Sequence, residues 1–195
     1  MIRVNKMARK DVRTIAVPDG KKVEVEYNFS DSVAKVLGEF TREDMAWVRA
    51  DPLTTHSDDR GHLFEVNHSS DVVKFGQDYV VIDDLPHIVR AFHAHRELWD
   101  YFTIIQGHAK FVLFDARVKI DGEENPTYGR MKQFVIGQRR NMRLTVPPGV
   151  YHGWMSLEPQ TILLSFGSEL YDGDDPDEHR VPPNSFGYRW EVEFK

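Results

Sequence analysis

The stretch "RAFHAHRELWDYFTIIQG", residues 90–107, carries His93 and His95 two residues apart, Asp100 five residues further on and Gly107 beyond it. An i, i+2 pair on a strand projects from one face, so both imidazoles can enter the same pocket. Asp100 follows a turn-like "RELW" and opens the next strand, from which it can point back toward them. A third histidine, His152, lies in "VPPGVYHGW", just past a Pro-Gly turn. Two chemistries are open to such a group. Imidazole, with a pKa near 6.5, removes and returns protons at neutral pH. Three imidazoles and a carboxylate also suit a divalent ion (Fe, Mn, Ni or Zn) that keeps positions open for water or substrate. The two exclude each other at any one atom, because a nitrogen bound to metal has no lone pair for a proton. A third reading makes these histidines satisfied interior groups, with Asp100 a structural salt-bridge partner.

The elements that must carry these residues read as strands. "DYVVID", "IVRAFHAH", "YFTIIQG", "AKFVLFDARVKI", "KQFVIG", "MRLTVPPG" and "TILLSFGSEL" are short apolar or alternating runs, punctuated by Gly107, Asp121-Gly122, Gly137 and Pro147-Pro148-Gly149. The expected class is all-β, a sandwich or barrel spanning residues 51–195. Residues 1–50 read as a short α/β extension. It holds two strands around Pro18-Asp19-Gly20, then a short helix in "SDSVAKVLGEF" capped by Ser30 or Asp31, with Val33, Val36 and Leu37 on one side. Its apolar content is too small for a separate core. The acidic run "DGDDPDE", 172–178, reads as a solvated loop, with a lid over a site as the alternative. His56, His62, His68, His87, His108 and His179 fall in loop-like or turn-edge contexts and are assigned surface roles.

A chain of 195 residues suits one domain, and a formal charge of −6 argues against a nucleic-acid partner. There is no cysteine, which excludes thiolate chemistry and disulfides and fits a cytoplasmic protein. No apolar run reaches the roughly 18 residues of a membrane span, so no membrane partner is expected. Arg3, Lys6, Arg9, Lys10 and Arg13 crowd the first segment and read as a solvated basic tail, the alternative being an oligomer or anion contact.

The spacing resembles the two motifs of the cupin superfamily. His93-Ala-His95, four residues, Asp100, six residues, Gly107 matches the first, with Asp in place of Glu. Pro147-Pro-Gly149-Val-Tyr-His152 matches the second. The resemblance implies a cupin jelly roll.

A narrower resemblance runs through residues 58–190, to the dTDP-4-dehydrorhamnose 3,5-epimerase family of that superfamily. "DDRGHLFEV" is similar to its Asp-x-Arg-Gly opening, "FGQDYVVIDD" to its Phe-x-Gln-x-Asn stretch, and "IVRAFHAH" to its Val-x-Arg-Gly-Leu-His. "LFDAR", "PTYGRM", "VPPGVYHGW" and "FGYRW" follow in the family's order. The resemblance implies an epimerase or isomerase acting, without a cofactor, on a nucleotide-linked 4-keto-6-deoxysugar by removing a proton alpha to the ketone. It implies His93 as the general base and His152 as a group that polarises the keto oxygen and stabilises the enolate. Arg60, Gln77 and Arg90 would contact the nucleotide diphosphate or sugar, and Tyr171 would line the sugar pocket. A homodimer is expected of such folds.

The departures are chemical. Asp100 stands where the family has a lysine, Ser165 where it has a catalytic tyrosine, and Pro183 or Asn184 where an aspartate orients the basic histidine. A carboxylate beside a growing enolate is destabilising unless a proton or a metal compensates it. One repair is a shared proton shuttle between His93 and His95, a pair that also resembles the sugar-nucleotide 3,4-ketoisomerases. A second is a divalent ion held by His93, His95, Asp100 and His152, a set that would equally suit a metal-dependent cupin, an oxygenase or isomerase of another small molecule. A third reading is a sugar-nucleotide binding protein that kept the pocket and lost catalysis.

Overall fold

The structure, a computed structural model, describes residues 11–192. Among them the strands are, in order, β1 Asp11–Ala16, β2 Lys22–Tyr27, β3 Glu39–Phe40, β4 Arg49–Pro52, β5 Thr55–Asp58, β6 Gly61–Phe64, β7 Gln77–Asp83 and β8 Val89–Ala94. They continue with β9 Asp100–Gln106, β10 His108–Asp115, β11 Arg117–Ile120, β12 Glu123–Glu124, β13 Arg130–Gly137, β14 Met142–Val146, β15 Val150–Ser156, β16 Thr161–Gly167 and β17 His179–Arg180. A six-stranded sheet in the order β17-β8-β15-β10-β13-β3 faces a five-stranded sheet in the order β4-β14-β9-β16-β7. This is the all-β class that the strand pattern predicts and the jelly roll that the cupin resemblance implies. No helix among the described residues is long and apolar enough to cross a membrane.

Alternation along the strands builds three apolar layers. Phe102, Ile104, Phe111, Leu113, Leu144 and Leu163 fill the space between the two sheets. On the outer face of the six-stranded sheet, Phe92, Phe114 and Tyr151 pack under Phe186 and Tyr188 of the C-terminal segment and under Val33. On the outer face of the five-stranded sheet, Trp99, Tyr101 and Phe166 are covered by Val23, Val25 and Tyr27 of the β1–β2 hairpin. A Phe or Leu buried in this way contributes about 1.5–3 kcal/mol.

The hairpin forms at Pro18-Asp19-Gly20 as expected, and β2 extends it by pairing with β11. Three expectations are corrected. The helix expected in 30–40 is a single 3-10 turn, Val33–Lys35, preceded by Ser32 without a side-chain cap; Val33 is buried but Leu37 is 77% exposed. Gly38 follows closely, and two β-branched valines in so short a run disfavour a longer helix. "AKFVLFDARVKI" is two strands, broken where the Ala116 N–H leaves the ladder to bond the Gly149 carbonyl. His56 and His62 lie not in loops but in the exposed β5–β6 hairpin. Of the basic residues near the start, Arg3, Lys6, Arg9 and Lys10 lie outside the described residues. Arg13 stands near Asp11 and Glu97.

Two of the resembling segments meet in a buried polar knot. The Asp115 carboxylate accepts from Arg117 at 2.8 and 2.6 Å, from Thr127 Oγ1 at 2.7 Å and from Asn125 Nδ2 at 3.1 Å, all fully or nearly buried. "LFDAR" and the "NPTYGR" turn are thus joined by one charge pair whose remaining lone pairs are used, the condition under which buried ions are tolerated.

Candidate active site

β8 and β15 pair antiparallel with His93 opposite His152, so two of the three imidazoles are neighbours across one ladder. His95 follows β8 with the same face inward. On the facing sheet Asp100 is the first residue of β9. Its row continues through Gly167 of β16 to Gln77 of β7, and the next row runs Phe102, Ser165, Tyr79. The glycine leaves that row without a side chain, and a pocket of about 520 Å³ opens between the sheets. His93, His95, Asp100, Gln77, Tyr79 and Tyr171 are among its lining residues.

The ligand atoms of His93, His95, Asp100 and His152 all lie within 4.8 Å of one another. His152 Nδ1 is 3.0 Å from the Val150 carbonyl oxygen, and His95 Nδ1 bonds the Asp177 carbonyl. A carbonyl only accepts, so both Nδ1 atoms carry hydrogen and both Nε2 atoms turn inward. They stand 3.2 Å (His152) and 3.3 Å (His95) from Asp100 Oδ2, ion-pair distances at angles that leave this buried oxygen without a formed hydrogen bond. His93 Nε2 is 2.9 Å from His152 Nε2, so one proton bridges the two rings.

Electrostatics sort these groups. Burial, reinforced by the neighbouring His152 and His95 rings, holds His93 well below the ordinary imidazole value and keeps it neutral. For His95 burial acts in the same direction, but the nearby Asp100 carboxylate and the Asp177 carbonyl outweigh it and raise the pKa to about 9. Asp100 is disfavoured as an anion by burial, yet His95 and His152 lower its pKa well below the usual carboxylate range. Near neutral pH the site therefore contains a neutral His93 and a carboxylate compensated by a protonated His95. A protonated His95 is thus one group able to compensate the Asp100 charge.

The other residues singled out in the sequence divide. Gln77 and Tyr171 are at the pocket, tied by the Tyr171 N–H donating to Gln77 Oε1 at 3.0 Å. Arg90 is outside the lining. It points from β8 toward β7 and donates to the buried Asp83 at 2.8 and 3.0 Å, with its side chain half exposed. Arg60 is in the β5–β6 hairpin, 90% exposed at its side chain and paired with Asp58, away from the pocket of its own chain. The acidic run 172–178 is a rim rather than a free loop. Asp172, Asp175 and Asp177 line the pocket, and the Asp177 carboxylate accepts the backbone N–H groups of Arg96, Glu97 and Leu98 at 2.8–3.0 Å. Among the described residues neither Pro183 nor Asn184 bonds the basic His93; the Asp177 and Val150 carbonyls orient the other two imidazoles, His95 and His152. The pocket residues passed over in the sequence include Arg180, opposite His93 in the β17–β8 pair, and Tyr79. Tyr79 was legible from alternation, since it shares a strand face with Gln77.

The three histidines could accept, hold or hand on a proton, and the four residues could hold a divalent ion. The unbonded, buried Asp100 Oδ2 and the two outward-fixed Nδ1–H groups fit such an ion, which would be held by nitrogen and oxygen donors alone.

Comparison with known proteins bears on the choice. The family model described as dTDP-4-dehydrorhamnose 3,5-epimerase matches residues 47–194. The chain is 33% identical over 153 residues to the spore coat polysaccharide biosynthesis protein SpsL of Bacillus subtilis, covering 76% of this chain and 97% of that one. It is 31% identical over 144 residues to the probable low-salt glycan biosynthesis epimerase Agl13 of Haloferax volcanii, covering 69% and 86%. Among solved structures, the fold is shared with the dTDP-4-dehydrorhamnose 3,5-epimerase of Bacillus anthracis with TDP and PPi bound, at TM-score 0.67, 22% identity and 80% and 91% coverage. It is shared also with the TDP-quinovose 3,4-ketoisomerase WlaRB of Campylobacter jejuni, at TM-score 0.57, 18% identity and 70% and 95% coverage. The chain belongs to the dTDP-4-dehydrorhamnose 3,5-epimerase family.

Proposed function

We propose that this protein is an epimerase or isomerase of a nucleotide-linked 4-keto-6-deoxysugar, working by proton removal alpha to the ketone with no cofactor. The observation that carries the reading is a half-buried, neutral His93 at a pocket large enough for a sugar, beside a second histidine that shares its proton. His93 takes the alpha proton, the C–H electrons enter the enolate, and His152, fixed by Val150, stands next to the developing charge. Protonated His95 offsets Asp100, which would otherwise oppose that charge. Gln77 and Tyr171 contact the sugar, and Arg90 and Arg60 are assigned to the diphosphate. Arg60 reaches a pocket only if a second copy presents its hairpin there. The partner is a small nucleotide sugar, and the assembly a homodimer.

The test is solvent-deuterium incorporation at C3 or C5 across a panel of nucleotide-linked 4-keto-6-deoxyhexoses, read by mass spectrometry. Incorporation that disappears in His93→Asn is the expected result. No exchange with any member of the panel would instead favour a binding protein that has lost catalysis.

A second reading is favoured by Asp100 Oδ2, which is buried without a hydrogen bond. In it His93, His95, Asp100 and His152 hold a divalent ion, which would act as a Lewis acid on a carbonyl. Elemental analysis of protein purified without chelator decides between the two. Stoichiometric metal that is lost in Asp100→Asn would establish the ion and remove His93 as the base.

A further inference from the structure

Inverting a carbon next to a ketone takes two groups, one that removes a proton from one face and one that supplies a proton to the other. His93 and His95 line one wall of the pocket, the β8–β15 side, with His152 buried beside His93 on the same sheet. The opposite wall belongs to the five-stranded sheet, where Asp100, Ser165, Gln77 and Tyr79 share the inner face around the bare Gly167. Asp100 is engaged with His95 and His152. Gln77 has no acidic proton and is bonded to the Tyr171 N–H. Ser165 is fully buried beneath the pocket surface. Tyr171, the other phenol in the lining, is on the rim and 64% exposed. Among the groups on that inner face this leaves the Tyr79 phenol, which lines the pocket and is 44% exposed. The acidic groups Glu169, Asp172, Asp175, Asp177 and Glu178 lie beyond the end of β16, on the rim.

We propose, resting on the epimerase reading above, that Tyr79 is a catalytic residue, the acid that protonates the enolate on the face opposite His93. The step balances. His93 takes the alpha proton, and the C–H pair becomes the enolate double bond as the carbonyl pair moves to oxygen. The carbonyl then re-forms, the same carbon takes the hydrogen of the Tyr79 hydroxyl, and the O–H pair stays as phenolate. The phenolate regains a proton from solvent through the open mouth, and His93 releases its own. The product is inverted and carries one solvent hydrogen. Burial and the charge of Asp100 raise the phenol's pKa, so it keeps its proton until the enolate forms, and Ser165, paired with Tyr79 across the ladder, is placed to steady the phenolate.

Tyr79→Phe keeps the ring and removes the hydroxyl, and circular dichroism and thermal unfolding check that its fold is unchanged. In heavy water, with the keto-sugar nucleotide that the wild type turns over, the variant is expected to wash deuterium into the alpha position, through His93 and with retained configuration. Its inverted product should fall roughly 100-fold or more. Inversion at the wild-type rate would overturn the assignment. So would parallel loss of exchange and inversion, which would make Tyr79 a group that holds the sugar. A wild type that moves the ketone without inverting a centre overturns it too, and a wild type that exchanges nothing removes the epimerase reading along with it.

Discussion

At the scale of single residues, His95 is the group whose protonation ties stability to pH. Its pKa in the folded chain, about 9, lies above the 6.5 of a free imidazole. A raised folded value means that protonation favours the native state, so the contribution is complete below about pH 6.5. It is lost as pH climbs from there through 9. Its size is on the order of 3 kcal/mol. Urea unfolding of metal-free protein between pH 6 and 10 should show that decline, and His95→Gln should flatten it while lowering stability at pH 6, because Asp100 would lose its charged partner. An unchanged slope in the variant would refute the pairing. A residue of the opposite kind is Arg117, fully buried on Asp115. Arg117→Met leaves that carboxylate without its cation and should cost about 3–5 kcal/mol in denaturant titration. This cost was not legible in "LFDAR", because nothing local says that Thr127 and Asn125 close around the same carboxylate.

Among the elements, the turns before the site strands are held by backbone demands that the sequence does show. Gly149 has φ +82°, and a Cβ there would come within 2.4 Å of the Tyr27 ring and 2.5 Å of Arg117. Gly149→Ala should therefore destabilise by about 1–3 kcal/mol and displace His152, reducing both melting temperature and deuterium exchange. Pro-Pro-Gly before His152 announced this turn. Alternation along "FHAH" likewise announced that two imidazoles share a face, and both features came through because they depend on near neighbours. The rim is the contrary case. "DGDDPDE" reads as solvated by composition, yet Asp177 caps three N–H groups about eighty residues earlier in the chain. Asp177→Ala should lower stability by about 1–3 kcal/mol, seen as a reduced melting temperature. Tyr79 was missed for a different reason. It departs from the Phe-x-Gln-x-Asn pattern at the Asn position, and its worth depends on Ser165 across the ladder, a pairing visible only once β7 and β16 are in register.

For the whole molecule, the all-β class could be read in advance because the main strands are short apolar or alternating runs between turn residues, and the jelly roll because two motifs resemble those of cupins, whereas the order of strands in the sheets could not. That order leaves β7 at the edge of the five-stranded sheet among the described residues. Its outward Val80 and Ile82 are each 54% exposed. An unpaired apolar edge of this kind is a pairing surface. Light scattering after gel filtration should report a dimer that becomes monomeric in Val80→Lys/Ile82→Lys, with the circular dichroism spectrum retained. A monomeric wild type would instead leave the Arg60 hairpin with no neighbour to serve. Inside each copy, Asp177 has a second attachment beyond its capping carboxylate: its carbonyl fixes the His95 ring. The latch that closes the acidic rim is thus also the hinge pin of an imidazole. Lifting the rim to admit a bulky guest would release that ring, unsettle the charge balance beside Asp100, and make admission and proton traffic a single mechanical event.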